Sequence, residues 1–546
     1  MLALAVFAMG SMPCLAHSPG ESNSRPVKQG TISLPPMGWS SWNSFSNTVD
    51  SKVIVQQTQA LVSSGMKKAG YAYINIDEGW WMGKRDRLGN IVVEPNQWPA
   101  LQSGEHRGDM SNIVRYIHNA GLKAGIYTDA GEAGCSFYGP DLGPPVPHTG
   151  SEGHYDQDFL QFAQWGFDYV KVDWCGGNGE KLDPAVQYAE IAHSISRAEK
   201  ITGHRLYYSI CNWGSNFPWT WAPGIGGVRA DIWRTSGDIV APIVADTPNA
   251  ARRASFIGVL SNFDLGIHNE AQHTGFYNDP DMMMIGMPGL SEAQNRVHMS
   301  LWAISGAPLI VGADLSKLDN ATKAILTNEK VIAVDQDPLG IQGIKVGEPQ
   351  PGLQIWVKPL AAAGDRAVLL LNRTTNQATI QVNWKQLGLD AQSPAIVQDL
   401  WTGKQRESSS SSYAALLPAG DATFFKVHGM EGPSTTYGAS ASARQQGAIG
   451  DKESVSFAVA PIKGVAVVRI SYENRSEQAV IAQLRVDGKT PTNVLFPPTG
   501  NAQQARTVVC EVESSDAGLS TTLSFSSPNS LGPALQSISV QTFGEP

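Results

Sequence analysis

The sequence predicts an α/β protein built from a (β/α)8 TIM barrel, an antiparallel β-sandwich and a second, C-terminal β-sandwich. Apolar runs typical of buried strands alternate with helical segments from about residue 37 to residue 335. Polar side chains cluster where these strands end, which is the face on which barrel enzymes build their sites. Beyond residue 335 the chain continues as short strands separated by turns, with no helical pattern between them.

The barrel, predicted over residues 32–335, is indicated by repeated βα units. The predicted strands are MGWSSW (37–42), YAYINID (71–77), KAGIYTD (123–129), DYVKVDW (168–174), LYYSICN (206–212), IWRTSGD (232–238) and PLIVGAD (308–314). The predicted helices include SKVIVQQTQALVSSGMKKAG, DMSNIVRYIHNAG and PAVQYAEIAHSISRAEKITG, which have apolar residues at helical spacing and end in glycine. A doubly wound open sheet is the alternative, but no Gly-x-Gly-x-x-Gly motif follows the first strand.

Two all-β regions are predicted after the barrel. Residues 340–428 contain LQIWVKPL, AVLLLNR, ATIQVNW, IVQDLWTG and ATFFKVHG, a pattern that indicates a small antiparallel β-sandwich. The segment MEGPSTTYG is predicted to be a linker. Residues 436–546 contain ESVSFAVAP, GVAVVRISYEN, IAQLRVDG, ARTVVCEVE, STTLSFSS and LQSISVQTF, which indicate a second sandwich.

Composition and charge exclude several classes of protein. The apolar content of 42% and charged content of 16% are typical of a globular chain. The net charge of −9, without any basic block, argues against nucleic acid as a partner. Residues 1–16 form an apolar run followed by small residues, which predicts the end of a secretory signal cleaved after Ala16, although a basic n-region is missing. We therefore expect a secreted or periplasmic protein, and no other apolar run is long enough to predict a membrane span.

The cysteines do not indicate a metal site. There are five, and Cys14 falls in the predicted signal. No Cys-x-x-Cys pair and no His-Glu-x-x-His motif occurs, so neither a metal nor another cofactor is expected. Export would permit a disulfide among the remaining cysteines.

Acids and amides recur at the predicted carboxyl ends of the strands. They are Asp77, Glu78, Asp129, Asp173, Asn212, Asp238, Asp279 and Asp281. Any one of them could be a helix cap after its strand. Their recurrence at equivalent positions favours a shared site at the mouth of the barrel.

Asp173 and Asp238 are the two candidate catalytic groups. Hydrolysis of an acetal by a retaining route needs one carboxylate that attacks the anomeric carbon and one carboxyl group that protonates the leaving oxygen. Alternation within YVKVDWC (169–175) places Lys171 and Asp173 on one face of a strand. Lys171 would favour the ionised carboxylate that a nucleophile needs, although a buried structural ion pair explains the same pattern.

Short motifs in a fixed order make the resemblance specific. They are MGWSSWNSF (37–45), YINIDEGW (73–80), GIYTDAG (125–131), YVKVDWC (169–175), SICNWG (209–214), IWRTSGDI (232–239), NDPDMM (278–283), PLIVGADLS (308–316) and DQDPLG (335–340). Over residues 32–430 the chain resembles the α-galactosidase (melibiase) family, glycoside hydrolase family 27 of clan D. The resemblance implies a retaining, exo-acting double displacement on α-galactosides in which Asp173 is the nucleophile and Asp238 the acid/base.

The resemblance also implies the residues that hold the sugar. Asp77 and Glu78 match the acids at O6 and O4, Lys171 the group at O3 and O4, and Arg234 one at O2 and O3. Trp39 matches an aromatic platform, Tyr127 and Met282 match pocket walls, and Asn212, with Trp213 beside it, matches the position that reads the 2-substituent. A disulfide is implied between Cys135 and Cys175, which leaves Cys211 as a free buried thiol.

Two departures from the family pattern leave the sugar open. Glu78 stands where an aspartate is usual, and Asn212 stands where a glutamate is common. The alternatives are a β-L-arabinopyranosidase or an isomalto-dextranase-type α-glycosidase of the same family. A sugar-binding protein without catalysis and a nucleotide-using sugar enzyme are further alternatives, the latter lacking a phosphate-binding glycine loop.

The role of residues 436–546 stays open between two possibilities. The strand pattern faintly resembles galactose-binding-like carbohydrate-binding modules. The segment contains no tryptophan and few other aromatic residues, however, so a spacer or packing domain is equally compatible with it.

Overall fold

A computed structural model gives the architecture of most of the chain. It describes residues 34–138, 147–222, 230–239, 254–269, 271–272, 275–408, 411–440, 443–444, 449, 454–475, 480–489, 491–496, 499, 506–514, 518–527 and 532–544. The predicted signal, residues 1–16, and Cys14 lie outside these residues. Within the described ranges, no helix combines the length and the apolar character needed to span a bilayer.

Eight parallel strands form the first sheet. They are β1 (Met37–Ser40), β2 (Tyr73–Asn75), β3 (Lys123–Asp129), β4 (Tyr169–Asp173), β5 (Tyr207–Cys211), β6 (Ile232–Arg234), β7 (Tyr277–Asp279) and β8 (Leu309–Val311). Their order is β7-β6-β5-β4-β3-β2-β1-β8. Met283, just beyond β7, bridges Val311 of β8, so the first and last strands of this order also meet and the sheet curls into the predicted barrel.

The α-helices of this region surround the sheet. They are α1 (Trp42–Phe45), α2 (Ser51–Ser63), α3 (Met66–Ala69), α4 (Ser111–Asn119), α5 (Cys135–Tyr138), α6 (Tyr155–Trp165), α7 (Pro184–Thr202), α8 (Phe256–Leu265), α9 (Glu292–Ser305), α10 (Asn320–Leu326) and α11 (Glu329–Asp335). The long helices begin at caps that the sequence encodes. Asp183 accepts the Val186 N–H before Pro184 opens α7, and Ser291 with Gln294 forms a capping box at α9.

Within the barrel, the structure differs from the predicted elements at β7 and at the helix predicted over residues 51–70. β7 was not predicted, because its three residues, YND, have neither an apolar run nor an alternating pattern. The helix predicted over residues 51–70 is divided into α2 and α3 at Gly65, whose φ of +88° interrupts the helical path.

Two antiparallel regions follow. The first contains β9 (Ile344–Gln350), β10 (Leu353–Pro359), β11 (Asp365–Asn372), β12 (Ala378–Asn383), β13 (Ala395–Asp399), β14 (Gln405–Ser408), β15 (Ser412–Leu417) and β16 (Ala422–His428). The second contains β17 (Thr435–Gly438), β18 (Ser454–Val459), β19 (Gly464–Glu473), β20 (Val480–Val486), β21 (Thr492–Phe496), β22 (Arg506–Ser514), β23 (Thr521–Ser526) and β24 (Ala534–Phe543). The first has sheets β14-β13-β16-β11-β10-β9 and β12-β15; the second has sheets β17-β24-β19-β22 and β18-β23-β20-β21. Part of the predicted linker, residues 435–438, is therefore the strand β17.

Apolar packing joins the three regions. Phe263 of α8 contacts Trp356 of β10 edge to face, with ring centroids 5.0 Å apart. Val467, Val509 and Phe543 of the second all-β region belong to the same apolar cluster as the core of the first. The barrel thus rests against one sandwich, which in turn packs on the next.

Candidate active site

A cavity of about 230 Å³ opens where β2, β3 and β4 end. It is lined by Trp42, Asp77, Glu78, Tyr127, Cys135, Lys171, Asp173, Cys175, Trp213 and Asp238. Asp173 is the last residue of β4, and Asp238 lies four residues beyond Arg234, the last residue of β6. The two predicted catalytic carboxyl groups, sixty-five positions apart in the chain, therefore face one cavity, which is smaller than the usual pocket for a drug-sized ligand.

Asp173 is the more buried of the two acids. Its side chain is 6% exposed, and its Oδ1 accepts the N–H of Trp174 at 2.9 Å. Burial raises the pKa of Asp173 to about 6, Lys171 opposes this shift, and Asp238 adds to it. The direction predicted for Lys171 is correct, but its charge only partly offsets the cost of burying the carboxylate.

Asp238 has a different environment. Its side chain is 32% exposed, and its Oδ1 accepts a hydrogen bond of 3.0 Å from Arg234 Nη2. One carboxyl group is thus enclosed next to a lysine, and the other is open to solvent next to an arginine. Two carboxyl groups in unlike surroundings are what a nucleophile and an acid/base require.

Lys171 lies closer to Asp77 than to Asp173. Its Nζ is 3.0 Å from Asp77 Oδ2 and 3.7 Å from Asp173 Oδ2, and it lies 5.1 Å from the centre of the Tyr127 ring. Burial would lower the pKa of Lys171, but the surrounding acids outweigh it and hold the pKa well above its usual value. Lys171 is therefore a permanent cation that bridges two acids of the cavity wall.

Asp77 and Glu78 are held in place by hydroxyl and amide groups. Ser40 Oγ donates to Asp77 Oδ2 at 3.2 Å, and Ser136 donates to Glu78 Oε1 through Oγ at 2.7 Å and its N–H at 3.0 Å. Burial raises the pKa of Glu78 to about 7 against these hydrogen bonds. A Cβ at Gly134 would lie 2.3 Å from Glu78 Oε1 and 2.6 Å from Thr149 Oγ1, so any larger residue here would displace one of these side chains.

Trp42, which the sequence did not single out, is one of the aromatic residues that line the cavity. Trp39 is fully buried, and its indole N–H donates to the carbonyl of Ala313 at 2.8 Å, so it does not line the cavity. Trp42 stands three residues later, at the start of α1, and lines the cavity. Trp39 therefore does not form the predicted platform, and the residue that lines the cavity lies three positions later; the second tryptophan of MGWSSW was the available signal.

Asn212 and Trp213 follow β5, but only one of them reaches the cavity. Asn212 is fully buried, and its Nδ2 donates to the carbonyl of Ser215. Trp213 lines the cavity and has a φ of +53°, which a non-glycine residue rarely adopts. The structure therefore brings Trp213 to the site, whereas Asn212 fixes the loop behind it.

Arg234 and Met282 lie below this cavity, inside the barrel. They line an inner cavity of about 30 Å³ together with Cys211, Asp279 and other residues. Asp77 and Lys171 line both cavities, so the two adjoin. The volume of the inner cavity gives room for one or two water molecules.

Cys135 and Cys175 form the predicted disulfide. It joins α5, which follows β3, to the loop directly after Asp173, and closes a separation of 40 residues. Cys211 is free and buried, as expected. Among the described residues, Asp129 and these two half-cystines are the one group with metal-like spacing, but sulfurs joined to each other cannot act as thiolate ligands.

Tyr127 and Asp129 complete the wall beside the disulfide. The hydroxyl of Tyr127 donates to Asp129 Oδ1 at 2.9 Å. Burial raises the pKa of Asp129 well above its usual value, and the charges of Glu78 and Asp173 raise it further. Asp129 is thus a buried acid that orients Tyr127 and does not itself line the cavity.

Comparison with known proteins identifies the family. The family model described as "Alpha galactosidase A" matches residues 34–337. The chain belongs to the α-galactosidase family. It is a glycoside hydrolase, and the predicted resemblance is confirmed. Two more models of α-galactosidases match further along the chain, a C-terminal β-sandwich domain at residues 350–427 and a CBM13 domain at residues 453–540.

Individual members of the α-galactosidase family support the same assignment. The chain is 37% identical over 402 residues to a probable α-galactosidase of Dictyostelium discoideum, covering 72% of this chain and 92% of the relative. It is 42% identical to α-galactosidase A of Cellvibrio japonicus, covering 64% and 78%. The structure of α-galactosidase I from Mortierella vinacea aligns with a TM-score of 0.63 at 29% identity, covering 74% of this chain and 100% of that one.

Proposed function

We propose that this enzyme is a retaining, exo-acting α-galactosidase that uses Asp173 as nucleophile and Asp238 as acid/base. The single observation that carries the proposal is that both carboxyl groups line one small cavity, one enclosed and one open to solvent. The proposal that the sugar is galactose is supported by relatives that are named as α-galactosidases and match over most of the chain.

The mechanism follows from these two environments. In the first step Asp173 attacks the anomeric carbon while Asp238 gives its proton to the leaving glycosidic oxygen. In the second step Asp238 takes a proton from water, which attacks the same carbon and releases Asp173. Lys171 stabilises the carboxylate of Asp173 both before attack and as it departs, since its ammonium stays 3.7 Å away and charged. Retaining glycosidases in general hold their two catalytic carboxyl groups about 5–5.5 Å apart, and this route requires the same separation between Asp173 and Asp238.

The preference for galactose is proposed from the polar side chains that line the cavity beside Asp173. Asp77, Glu78 and Lys171 present fixed acceptors and a donor to the cavity. A site built to hydrogen-bond particular hydroxyl groups strongly rejects a sugar that lacks them, because its polar groups are then left unpaired. The same wall leaves β-L-arabinopyranosides and isomaltose-type substrates as the alternatives, since Glu78 is one methylene longer than aspartate.

The remaining assignments are proposals about the rest of the chain. Residues 1–16 are proposed to direct export to the periplasm or medium. The barrel is proposed to span residues 32–335, the first sandwich residues 340–428 and the second residues 436–546. For the last of these, the match to a CBM13 domain of α-galactosidases favours carbohydrate binding over a pure spacer role.

The proposed activity is tested with three p-nitrophenyl glycosides and with raffinose. We expect turnover of the α-galactoside and raffinose, with kcat/KM at least tenfold above that for the β-L-arabinopyranoside and the α-glucoside. The first sugar product seen by NMR should be the α-anomer, as retention requires. Asp173→Asn should abolish turnover of all four substrates; a residual rate near a tenth of the wild type, or a β-anomer, would contradict the proposal.

A further inference from the structure

Asp281, in the turn after β7, is a buried acid that this mechanism does not use. It is 1% exposed, and its φ is +105°, a backbone conformation that residues other than glycine rarely adopt. Hydrogen bonds hold the backbone of the turn at both the N–H and the carbonyl of Asp281. The N–H of Asp281 donates to Asp279 Oδ1 at 2.9 Å, and its carbonyl accepts the indole N–H of Trp302 at 3.0 Å. Strained backbone of this kind persists where the surroundings over-determine it, often next to active sites.

The carboxylate of Asp281 contacts the residue that follows the acid/base Asp238 and the arginine that pairs with it. Its Oδ2 accepts the peptide N–H of Ile239, the residue after Asp238, at 2.7 Å. Its Oδ1 lies 3.0 Å from Arg234 Nη1, and the other terminal nitrogen of Arg234 donates to Asp238 at 3.0 Å. One buried carboxylate thus fixes the backbone that carries Asp238 and the guanidinium that its side chain meets.

The rest of the segment around Asp238 rests on the same turn. The N–H of Thr235 donates to the carbonyl of Asp279 at 2.9 Å. Asn262 Nδ2 donates to the carbonyls of Gly237 at 2.7 Å and Pro280 at 2.8 Å. Because residues 235–239 belong to neither a helix nor a strand, their position depends on these contacts with Asn262 and with residues 279–281.

We propose that Asp281 is a positioning residue that holds the acid/base Asp238 against the leaving oxygen, by fixing Arg234 and the Ile239 peptide at once. This inference rests on the proposed function. Proton donation requires hydrogen-bond distance between the acid and the oxygen, so a shift of about one ångström costs on the order of a hundredfold in rate. Asp281 also shares the charge of Arg234, so the guanidinium does not neutralise Asp238 alone.

The test compares leaving groups in two variants. Asp281→Asn keeps the size of the side chain but removes its charge and one of its two oxygens, and Asp281→Gly suits the positive φ and removes the carboxylate altogether. Raffinose needs a proton on its leaving oxygen, whereas 2,4-dinitrophenyl α-galactoside does not. We expect kcat/KM for raffinose to fall about a hundredfold or more in both variants, and that for the dinitrophenyl substrate to fall less than about tenfold.

The deciding measurement is the ratio of kcat/KM for raffinose to kcat/KM for the dinitrophenyl substrate, because this ratio does not depend on the fraction of enzyme that is folded. Asp238→Ala supplies the reference for a lost acid, and Asp319→Ala, which removes only a helix cap at α10, should leave the ratio unchanged. Equal losses on both substrates, or a loss below about threefold on raffinose, would overturn the positioning role. A wild type inactive on both substrates would instead contradict the proposed function.

Discussion

At the scale of single residues, the ionisation state of Asp173 depends on two opposing effects, burial of its carboxyl group and the positive charge of Lys171. Burial raises its pKa to about 6, and the ammonium of Lys171 at 3.7 Å opposes this effect. The nucleophile must be ionised to attack, so catalysis should increase as the pH rises through about 6. The ammonium of Lys171 lies even closer to Asp77, at 3.0 Å, so one lysine contacts both the nucleophile and an acid proposed to bind the sugar.

Removal of that cation should be visible in the pH profile. In Lys171→Met the acidic limb of kcat/KM should move from near pH 6 to higher pH, because the group that lowers the pKa of Asp173 is gone. The maximum rate should also fall, since Asp77 loses its partner. Lys317→Met is the matched control, because it removes an exposed lysine that is also 3.0 Å from an aspartate. A limb that stays in place or moves to lower pH would contradict this account.

The two tryptophans of MGWSSW should separate binding from stability. Trp42→Ala removes apolar surface from the cavity wall, worth about 1.5–3 kcal/mol, and should lower kcat/KM by about 10- to 100-fold. Trp39→Phe leaves the buried carbonyl of Ala313 without its donor and should cost about 1–3 kcal/mol in free energy of unfolding. Kinetics with p-nitrophenyl α-galactoside and urea unfolding measure the two effects. The placement would be wrong if Trp39→Phe altered KM more than Trp42→Ala.

At the scale of elements, the loops after β3 and β4 act as one unit. The disulfide ties α5 to the loop that follows the nucleophile, and Ser136, next to Cys135, holds Glu78. The position of the longer acid thus depends on a loop that is covalently anchored beside Asp173.

The disulfide should contribute to both stability and sugar binding. Closing a 40-residue separation is worth about 4 kcal/mol in the chain-entropy model. Cys175→Ser should therefore lower Tm by several degrees and raise KM, because Ser136 is held less firmly against Glu78. Cys510→Ser, at a free buried cysteine, is the control: its Tm should still fall when reductant is added, whereas that of Cys175→Ser should not. An unchanged KM in Cys175→Ser would contradict the prediction that the disulfide supports sugar binding through Ser136 and Glu78.

Sequence patterns were sufficient for some elements and residues but not for others. β3 was predicted with its observed bounds because its apolar run is a local feature of the sequence. The disulfide was predicted only from the family resemblance. β7 was missed because three residues carry no periodic signal. Trp42 and Asp281 were not assigned roles because their importance depends on which side chain faces a cavity and which group lies across the barrel. Such contacts arise only when distant segments meet.

At the scale of the whole molecule, a buried arginine joins the two all-β regions. Arg366 of β11 is fully buried; it pairs with Glu431 at 2.6 Å and lies 5.5 Å from the ring centre of Phe543 in β24. Gln541 donates to Glu431 at 3.0 Å. The second all-β region is therefore docked on the first through packed apolar and charged groups.

Acid should weaken this interface. Burial opposes ionisation, but Arg366 outweighs it and lowers the pKa of Glu431 to about 2. Because the folded-state pKa lies below the ordinary value, the stabilisation is complete above about pH 4.5 and is lost as the pH falls toward 2. Glu431→Gln should lower Tm at pH 7, and its difference from wild type should shrink between pH 5 and pH 3. Glu292→Gln, at an exposed helix pair, should change Tm little at either pH.

The position of β24 has a consequence for biosynthesis. β24 pairs with both β17 and β19, and its Phe543 packs into the core of the neighbouring region. A nascent chain cannot complete this sheet until the ribosome has passed residue 543, whereas the barrel can close once residue 311 has emerged. The barrel is thus able to fold during translation, while an apolar patch on the sandwich that follows it stays uncovered and open to chaperones until residue 543 has emerged.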